Sequence, residues 1–175
     1  QRYFAEPFMS PFLHKLVIAV IVPVMDDNNN HISSLVALIP GNWLSDNIDD
    51  IVVGQTGNCY VLGVEGATVA HKDQSVVEKM YNLIESAKTD SELASTAAFL
   101  SRSLEIDETE VGYYTYKGTS FIASFATIKT TDWTVVIKAP VNEFMGTVNT
   151  LRLSMYAIGA IILLTALIVV YFVAG

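Results

Sequence analysis

The sequence has few of the features that mark nucleic-acid-binding or disulfide-stabilised proteins. Cys59 is the only cysteine, so no disulfide can form within the chain, which fits either a reducing compartment or a bacterial exterior. Ten Lys and Arg stand against eighteen Asp and Glu, which gives a net charge of −8. Because an acidic chain does not attract the phosphates of nucleic acids, we expect no nucleic-acid partner.

Signatures of catalysis and of metal binding are also missing. The three histidines are scattered, and no His-x-x-x-His, Cys-x-x-Cys or Gly-x-Ser-x-Gly spacing occurs. The Asp- and Asn-rich residues 26–30 lack the Gly and Glu of an EF-hand loop. Gly54 and Gly57 are not followed by the Gly-Lys-Ser/Thr of a phosphate-binding loop. We therefore expect no enzyme activity, no metal and no cofactor.

Charged residues are absent from residues 155–174. An α-helix needs about 20 apolar residues to cross a bilayer core about 30 Å thick, so this run predicts a transmembrane helix. Gly159 and Ala160 are small enough to let a second helix approach closely. Because Gln1 is not an initiator Met and Gly175 directly follows the run, we expect the chain to be a piece of a longer protein. Charge leaves the orientation open, because no loop follows the run.

The first forty residues predict strands rather than helices. Prolines among residues 1–13 prevent a continuous helix and favour short extended pieces. Residues 16–24 and 32–39 are β-branched and apolar, which predicts the two arms of a hairpin around the turn at residues 26–30. Pro23 lies within the first arm, where an edge or a bulge accommodates it.

The middle of the chain predicts helices around a second hairpin. Residues 43–53 have apolar positions at helical spacing, with Ser45 or Asp46 as N-cap. The hairpin arms are expected at residues 59–62 and 67–71. A helix then runs from residue 73 to the interruption at residues 89–91, and a second helix covers residues 92–104.

The last part of the soluble region predicts a meander of three strands, at residues 111–116, 121–128 and 133–139. Pro140 ends the third strand, and a helix over residues 141–154 is expected to continue directly into the membrane span. A hairpin, helices and a meander in this order predict an α+β fold, in which helices pack on antiparallel sheet.

Three segments carry a family likeness. Residues 16–27 combine an apolar strand, Pro23 and an acidic turn. Residues 54–71 form a Gly-rich hairpin, and residues 131–143 combine Trp133 with a proline before a helix. In this order they resemble the double Cache sensor domain of bacterial transmembrane receptors, especially methyl-accepting chemotaxis proteins. The resemblance covers nearly the whole chain.

The resemblance implies two PAS-like antiparallel sheet modules. Residues 1–44 would be the C-terminal part of a membrane-distal Cache module, and residues 45–140 the membrane-proximal module. A juxtamembrane helix over residues 141–154 and the transmembrane helix over residues 155–174 would follow. The implied protein is a homodimeric chemoreceptor in the cell membrane, with residues 1–154 outside the cytoplasm.

The resemblance also implies where a small-molecule ligand binds. Amino-acid-binding members hold the ligand amine with a Tyr-x-Asp and a further Asp, and these positions here carry Phe8-Met9-Ser10 and Leu38. Both carboxylates are missing, so an α-amine would have no counter-ion and an amino-acid ligand is disfavoured. Tyr3, Phe8, Ser10 and Leu38 remain as candidate ligand-binding residues, and the ligand's identity stays open.

The resemblance leaves two points unresolved. Gly63 stands where the membrane-proximal hairpin commonly has an Asp. The same sensor also occurs on histidine kinases and diguanylate cyclases, and a membrane-tethered periplasmic enzyme is a more distant alternative. The residues that follow Gly175 in the parent protein would distinguish these.

Overall fold

The computed structural model describes residues 3–174, without the side chains of residues 146–150, 167 and 169–174. The chain forms two compact units, residues 1–140 and residues 141–175. Among the described residues, the first unit contains two antiparallel sheets, four α-helices and a short 3-10 helix at Ser91–Leu93, and the second unit is a single helix. The predicted α+β class with antiparallel sheet is confirmed.

The first sheet is built around one long apolar strand. Its four strands are β1 (Tyr3–Phe4), β2 (Phe8–Met9), β3 (Leu16–Met25) and β4 (His31–Pro40). β4 pairs along one edge of β3, while β1 and β2 follow one another along the other edge. Pro23 lies where β3 has only β4 beside it, next to a register shift at Val24 and Met25, as expected for a residue without an N–H.

The Asp26 side chain adds to the backbone hydrogen bonds that close the turn between β3 and β4. Asp26 Oδ1 accepts hydrogen bonds from the backbone N–H groups of Asn28 (2.9 Å) and Asn30 (2.7 Å). These bonds lower the pKa of the exposed Asp26 carboxyl. The predicted turn is confirmed, with Asn29 in the left-handed region at φ 63°.

The second sheet has six strands and carries the remaining helices. The strands are β5 (Val52–Val53), β6 (Gly57–Leu62), β7 (Thr68–Ala70), β8 (Glu110–Tyr116), β9 (Thr119–Ile128) and β10 (Trp133–Pro140). The helices are α1 (Trp43–Ile48), α2 (Gln74–Glu78), α3 (Leu83–Ser86) and α4 (Ala94–Glu105). The main path of the sheet runs β5-β6-β10-β9-β8, with β7 also paired to β6.

Two helix predictions need correction. The helix predicted over residues 43–53 ends at Ile48, and Val52–Val53 is instead strand β5, paired with β6. It also begins before Ser45 and Asp46, with Asn42 as an N-cap that makes no side-chain capping bond. Sheet pairing at Val52–Val53 therefore overrides the helical spacing of the apolar residues.

The long helix predicted from residue 73 is broken at residues 79–82. β7 competes for this backbone: Thr68 N–H donates to the Tyr81 carbonyl oxygen at 2.9 Å, and Ala67 forms a bridge with Asn82. Asn82 then caps α3 by accepting from Glu85 N–H, and Met80 adopts φ 46°. Helical periodicity alone does not reveal this pairing, because it depends on a distant strand.

The second sheet packs on both faces. One face buries Tyr60, Leu62, Tyr114, Phe125 and Val136 against Phe99 and Leu100 of α4. The other face buries Val61, Val69, Ala70 and Trp133 against Ile18, together with Phe4, Ile39, Leu44 and Ile48. The inner face of the first sheet and α1 thus cover one side of the second sheet, and the helices cover its other side.

Glu6 adds a polar link between the first sheet and the β6–β7 turn. Its Oε1 accepts a hydrogen bond from Val64 N–H at 2.7 Å. A Cβ added at Gly63 would collide with the Glu6 carboxyl group. The glycine that departs from the family pattern therefore makes room for a carboxylate supplied by another segment.

The second unit is helix α5, Val141–Ala174, which begins at the residue after β10 ends. The expected continuous helix through residues 141–174 is confirmed. Within the described part of the chain, no helix meets the length and hydropathy required of a membrane span. The end of the predicted span, including Tyr171 and Phe172, lies outside the residues whose side chains are described.

The Glu6 link predicts a coupled pair of substitutions. We expect Gly63→Ala to lower the free energy of unfolding by about 1 kcal/mol, because the added methyl group displaces Glu6 from Val64 N–H. In a Glu6→Ala background the same change should cost nothing, since the obstructing carboxylate is gone. Urea unfolding of the four proteins measures the coupling. Additive effects would show that Gly63 is required for another reason.

Candidate functional site

Three of the four candidate ligand-binding residues lie on one face of the first sheet. Tyr3 is opposite Ile21, Phe8 is opposite Val17, and Leu38 is opposite Ala19. Residues 17, 19 and 21 alternate along β3, so their partners share the face turned away from the second sheet. Within the described chain Tyr3 is 62% exposed, Phe8 37% and Leu38 46%.

Ser10 does not join this group. It is 2% exposed, and its Oγ accepts a hydrogen bond from Leu13 N–H at 3.2 Å. Its carbonyl oxygen also accepts from His14 N–H at 2.9 Å. These bonds fix the turn between β2 and β3, so Ser10 has a local structural partner for its hydroxyl group.

Leu38 also borders a cavity beside the first sheet. This cavity has a volume of about 590 Å³ and extends from the first sheet to α2, with Lys15 and Glu78 among its lining residues. Its walls are mostly apolar. The outer face of the first sheet is therefore largely apolar at Tyr3, Phe8 and Leu38. None of the four candidate residues supplies a carboxylate.

A second cavity, of about 340 Å³, lies between the second sheet and α2–α4. The pairing of β6 with β10 places Asn58 directly opposite Lys138, and both side chains line the cavity. On its other side Lys138 is opposite Ala123 of β9. The small Ala123 side chain leaves space beside the lysine in the sheet face.

Lys138 is a half-buried cation that makes no ion pair with the described residues. Its Nζ lies 5.4 Å from the ring centre of Tyr60, 5.7 Å from Tyr116 and 5.2 Å from Phe121. None of the ion pairs among the described residues involves it. Burial lowers the pKa of Lys138, because an ammonium group loses hydration and gains no carboxylate in exchange.

Two buried oxygen atoms at the cavity have no hydrogen-bond partner among the described residues: Asn58 Oδ1 and the Tyr114 hydroxyl. Burial raises the pKa of Tyr114 to about 12, although the nearby Tyr60 hydroxyl opposes the rise. Burial also raises the pKa of Tyr60 well above its usual value. Native proteins satisfy nearly all buried polar groups, so two orphaned atoms in one cavity require an explanation.

His71 contributes a neutral donor. Asp73 N–H donates to His71 Nδ1 at 2.9 Å, so Nδ1 carries no proton and the ring proton resides on Nε2. Burial lowers the pKa of His71, and Lys138 adds to the lowering. Asp73 lies at the rim, and hydrogen bonds from Ser75 lower the pKa of its carboxyl group.

Sequence reasoning did not single out this cavity. One signal was present: Lys138 interrupts the apolar strand at residues 133–139, on the same alternating face as Thr134 and Val136. A lone cation on a buried strand face needs a partner. Asn58, which is opposite Lys138 on the paired strand β6, lies eighty residues earlier in the sequence, so the sequence alone does not show that the two are neighbours.

Comparison with known proteins identifies the family. A sequence model described as a Cache domain matches residues 2–148. A comparison with curated protein sequences gives no match.

Solved structures share the fold at low sequence identity. The ligand-binding domain of the Pseudomonas aeruginosa PAO1 amino acid chemoreceptor PctB in complex with L-Arg is 19% identical, with a TM-score of 0.60 over 88% of this chain and 56% of that one. The ligand-binding domain of the Pseudomonas fluorescens chemoreceptor CtaA with L-leucine is 15% identical, with a TM-score of 0.58 over 81% and 54%. The extracellular domain of mmHK1S-Z3, described as a histidine kinase, is 14% identical, with a TM-score of 0.63 over 87% of this chain and 54% of that one. The chain thus spans about half the length of these structures.

The two faces of the first sheet predict opposite responses to substitution. Ile18 is 1% exposed and packs against Val61 and Trp133, so Ile18→Ala should lower the free energy of unfolding by about 2–5 kcal/mol. Leu38→Ala on the outer face should cost less than about 1 kcal/mol. Chemical denaturation measures both. Similar losses would mean that something covers the outer face.

The buried tyrosine predicts a loss of stability in alkali. The pKa of Tyr114 is about 12 in the folded chain, against 10.0 ordinarily. Its contribution is therefore complete below pH 10.0 and is lost as the pH rises towards 12. Tyr114→Phe should reduce this alkaline loss by about 2 kcal/mol. Tyr113→Phe, on the exposed side of β8, is the control and should leave the pH profile of unfolding unchanged.

Proposed function

Because the chain belongs to the Cache domain family, we propose that it is the ligand-sensing part of a transmembrane chemoreceptor. The observation that carries the proposal is the junction of β10 and α5. The family match covers residues 2–148, and within it the last sheet strand ends at Pro140 and a 34-residue helix begins at Val141. The sensing fold and the transmitting helix follow one another without a linker.

In this proposal the two sheets form the sensor outside the cytoplasm, in a double Cache arrangement. The first sheet belongs to a membrane-distal module, whose outer face carries Tyr3, Phe8 and Leu38. The exposure of these apolar side chains supports a role as the wall of a binding site that further chain segments complete. The second sheet with α2–α4 is the membrane-proximal module.

The uncharged residues 155–174 anchor the receptor in the cell membrane. Their length suits a bilayer core, and every described side chain among them is exposed in the single chain. Gly159 has open space around it, which suits close approach by the same helix of a second receptor molecule. A homodimer would then change its output when the two α5 helices move relative to one another.

Output through a histidine kinase is the second candidate function. The likeness to mmHK1S-Z3, described as a histidine kinase, supports this reading at a TM-score of 0.63. The two candidates share the sensor and the helix and differ in the signalling domain that receives the movement. Chemotactic swimming and autophosphorylation measured in cells that carry the complete receptor separate them.

The junction predicts the effect of a flexible insertion. Gly-Gly inserted after Glu143 in the complete receptor interrupts α5 with helix-poor residues, so ligand affinity should persist while the downstream response is lost. Ligand affinity is measured on the purified receptor, and output is measured in cells. An unchanged response would show that α5 does not transmit the signal.

Two matched insertions control for unfolding and for helix rotation. Gly-Gly added at the exposed Lys117–Gly118 turn between β8 and β9 lengthens the chain equally and should leave both affinity and output intact. Seven alanines after Glu143 add about two helical turns and keep the faces of α5 nearly aligned, so they should restore much of the output. Loss of binding in the first insertion would show that it disturbs the sensor fold itself.

A further inference from the structure

We propose that the cavity between the second sheet and α2–α4 binds a small 2-hydroxy monocarboxylate, whose carboxylate pairs with Lys138. This site is separate from the outer face of the first sheet. The inference rests on the proposed function in one respect: a sensor gives the cavity a reason to bind a ligand. The contacts that carry it lie wholly within the second sheet and its helices.

Charge decides the first feature of the ligand. Lys138 is the only cationic side chain that lines the cavity among the described residues. Its three aromatic neighbours supply weak attraction, which does not replace the lost hydration of an ammonium group. A ligand carboxylate would replace that lost hydration, and it could also accept hydrogen bonds from the Tyr114 hydroxyl and from His71 Nε2–H.

The same charges exclude a dianion. His71 is neutral, so a single positive charge faces the cavity. The Asp73 carboxylate lies at the rim, and the whole chain carries a net charge of −8. A phosphate or a dicarboxylate would bring a second negative charge with no partner. One cation therefore selects one carboxylate.

Asn58 determines which group the ligand carries next to its carboxylate. Its Oδ1 is a buried acceptor with no hydrogen-bond partner in the described part of the chain, although Lys138 is directly opposite on the neighbouring strand. A ligand must therefore bring a donor to Oδ1 while its carboxylate meets Lys138. A hydroxyl group on carbon 2 fits, whereas an ammonium group there would add a second positive charge close to that of Lys138.

Size and polarity limit the rest of the ligand. The cavity volume is about 340 Å³, at the small end of the range for ligand sites. Leu62, Leu83 and Leu100 line it together with the tyrosine rings. The remainder of the ligand is therefore short and apolar, as in lactate.

The test uses the full chain in detergent micelles at constant ionic strength, with four probes: lactate, propionate, alanine and inorganic phosphate. Thermal unfolding and calorimetric titration should show binding of lactate and weaker binding of propionate, with none for alanine or phosphate. Lys138→Met should weaken lactate binding by about 10-fold or more, since it removes a hydrogen-bonded charge pair. Asn58→Leu should remove the preference for lactate over propionate.

Controls separate a binding role from a structural one. Lys129→Met makes the same change of charge in the exposed β9–β10 turn and should leave lactate affinity unchanged. Without ligand, Lys138→Met should unfold at the same or a higher temperature, because it removes an uncompensated cation. A structural lysine would instead lower that temperature.

Three outcomes would overturn the site: no heat or thermal shift with lactate, lactate binding that survives Lys138→Met, or binding of alanine in preference to lactate. Each is read from binding alone. A failure of signalling in the Gly-Gly insertion experiment would leave these measurements unaffected, so the failure of one proposal can be told from the failure of the other.

Discussion

The structure depends on the position of β10 between β6 and β9. This strand contributes to both cores of the first unit: Trp133 belongs to the core shared with the first sheet, and Val136, fully buried, belongs to the core under α4. Lys138 lines the cavity, and Pro140 precedes α5. Because side chains alternate along a strand, one segment of eight residues serves both cores. A register shift of one residue would exchange them.

The polar groups that line the cavity lower the stability of the fold. A half-buried ammonium group, an amide oxygen and a hydroxyl group each lower the stability of the fold, because none of them pairs with another of the described residues. The surrounding packing tolerates them, since Tyr60, Leu62, Leu100 and Tyr114 are nearly fully buried beside them. Unsatisfied polar groups within a well-packed core are typical of binding sites, where the ligand supplies the missing partners.

The sequence predicted the strands better than the helices. β3, β4, β9 and β10 are long runs of β-branched and apolar residues, and their pattern is determined locally. The break at residues 79–82 depends on pairing with β7, and Val52–Val53 is a strand because β6 lies beside it. Such contacts join residues that are close in space but separated in sequence, so local periodicity cannot reveal them.

The candidate site shows the same limit. Family resemblance pointed to Tyr3, Phe8, Ser10 and Leu38. The strand register places the two aromatic residues on one face with Leu38, whereas the Ser10 hydroxyl group accepts a local hydrogen bond from Leu13 N–H. Lys138 and Asn58 belong to strands at opposite ends of the sequence that forms the second sheet. Only the pairing of β6 with β10 places them side by side. A lone lysine in an apolar strand was visible in the sequence, but its partner was not.

In the proposed receptor, both binding surfaces are connected to α5 through β10. The outer face of the first sheet is connected to β10 through Ile18 and Trp133, while an occupant of the cavity would contact Lys138 directly. Lys138 is two residues before Pro140, the last residue of β10, so the proposed cavity ligand would contact the chain nearer in sequence to α5 than a ligand on the first sheet. Packed cores have discrete arrangements rather than continuous ones. Two ligands that favour different positions of β10 would therefore oppose one another, and two that favour the same position would bind cooperatively.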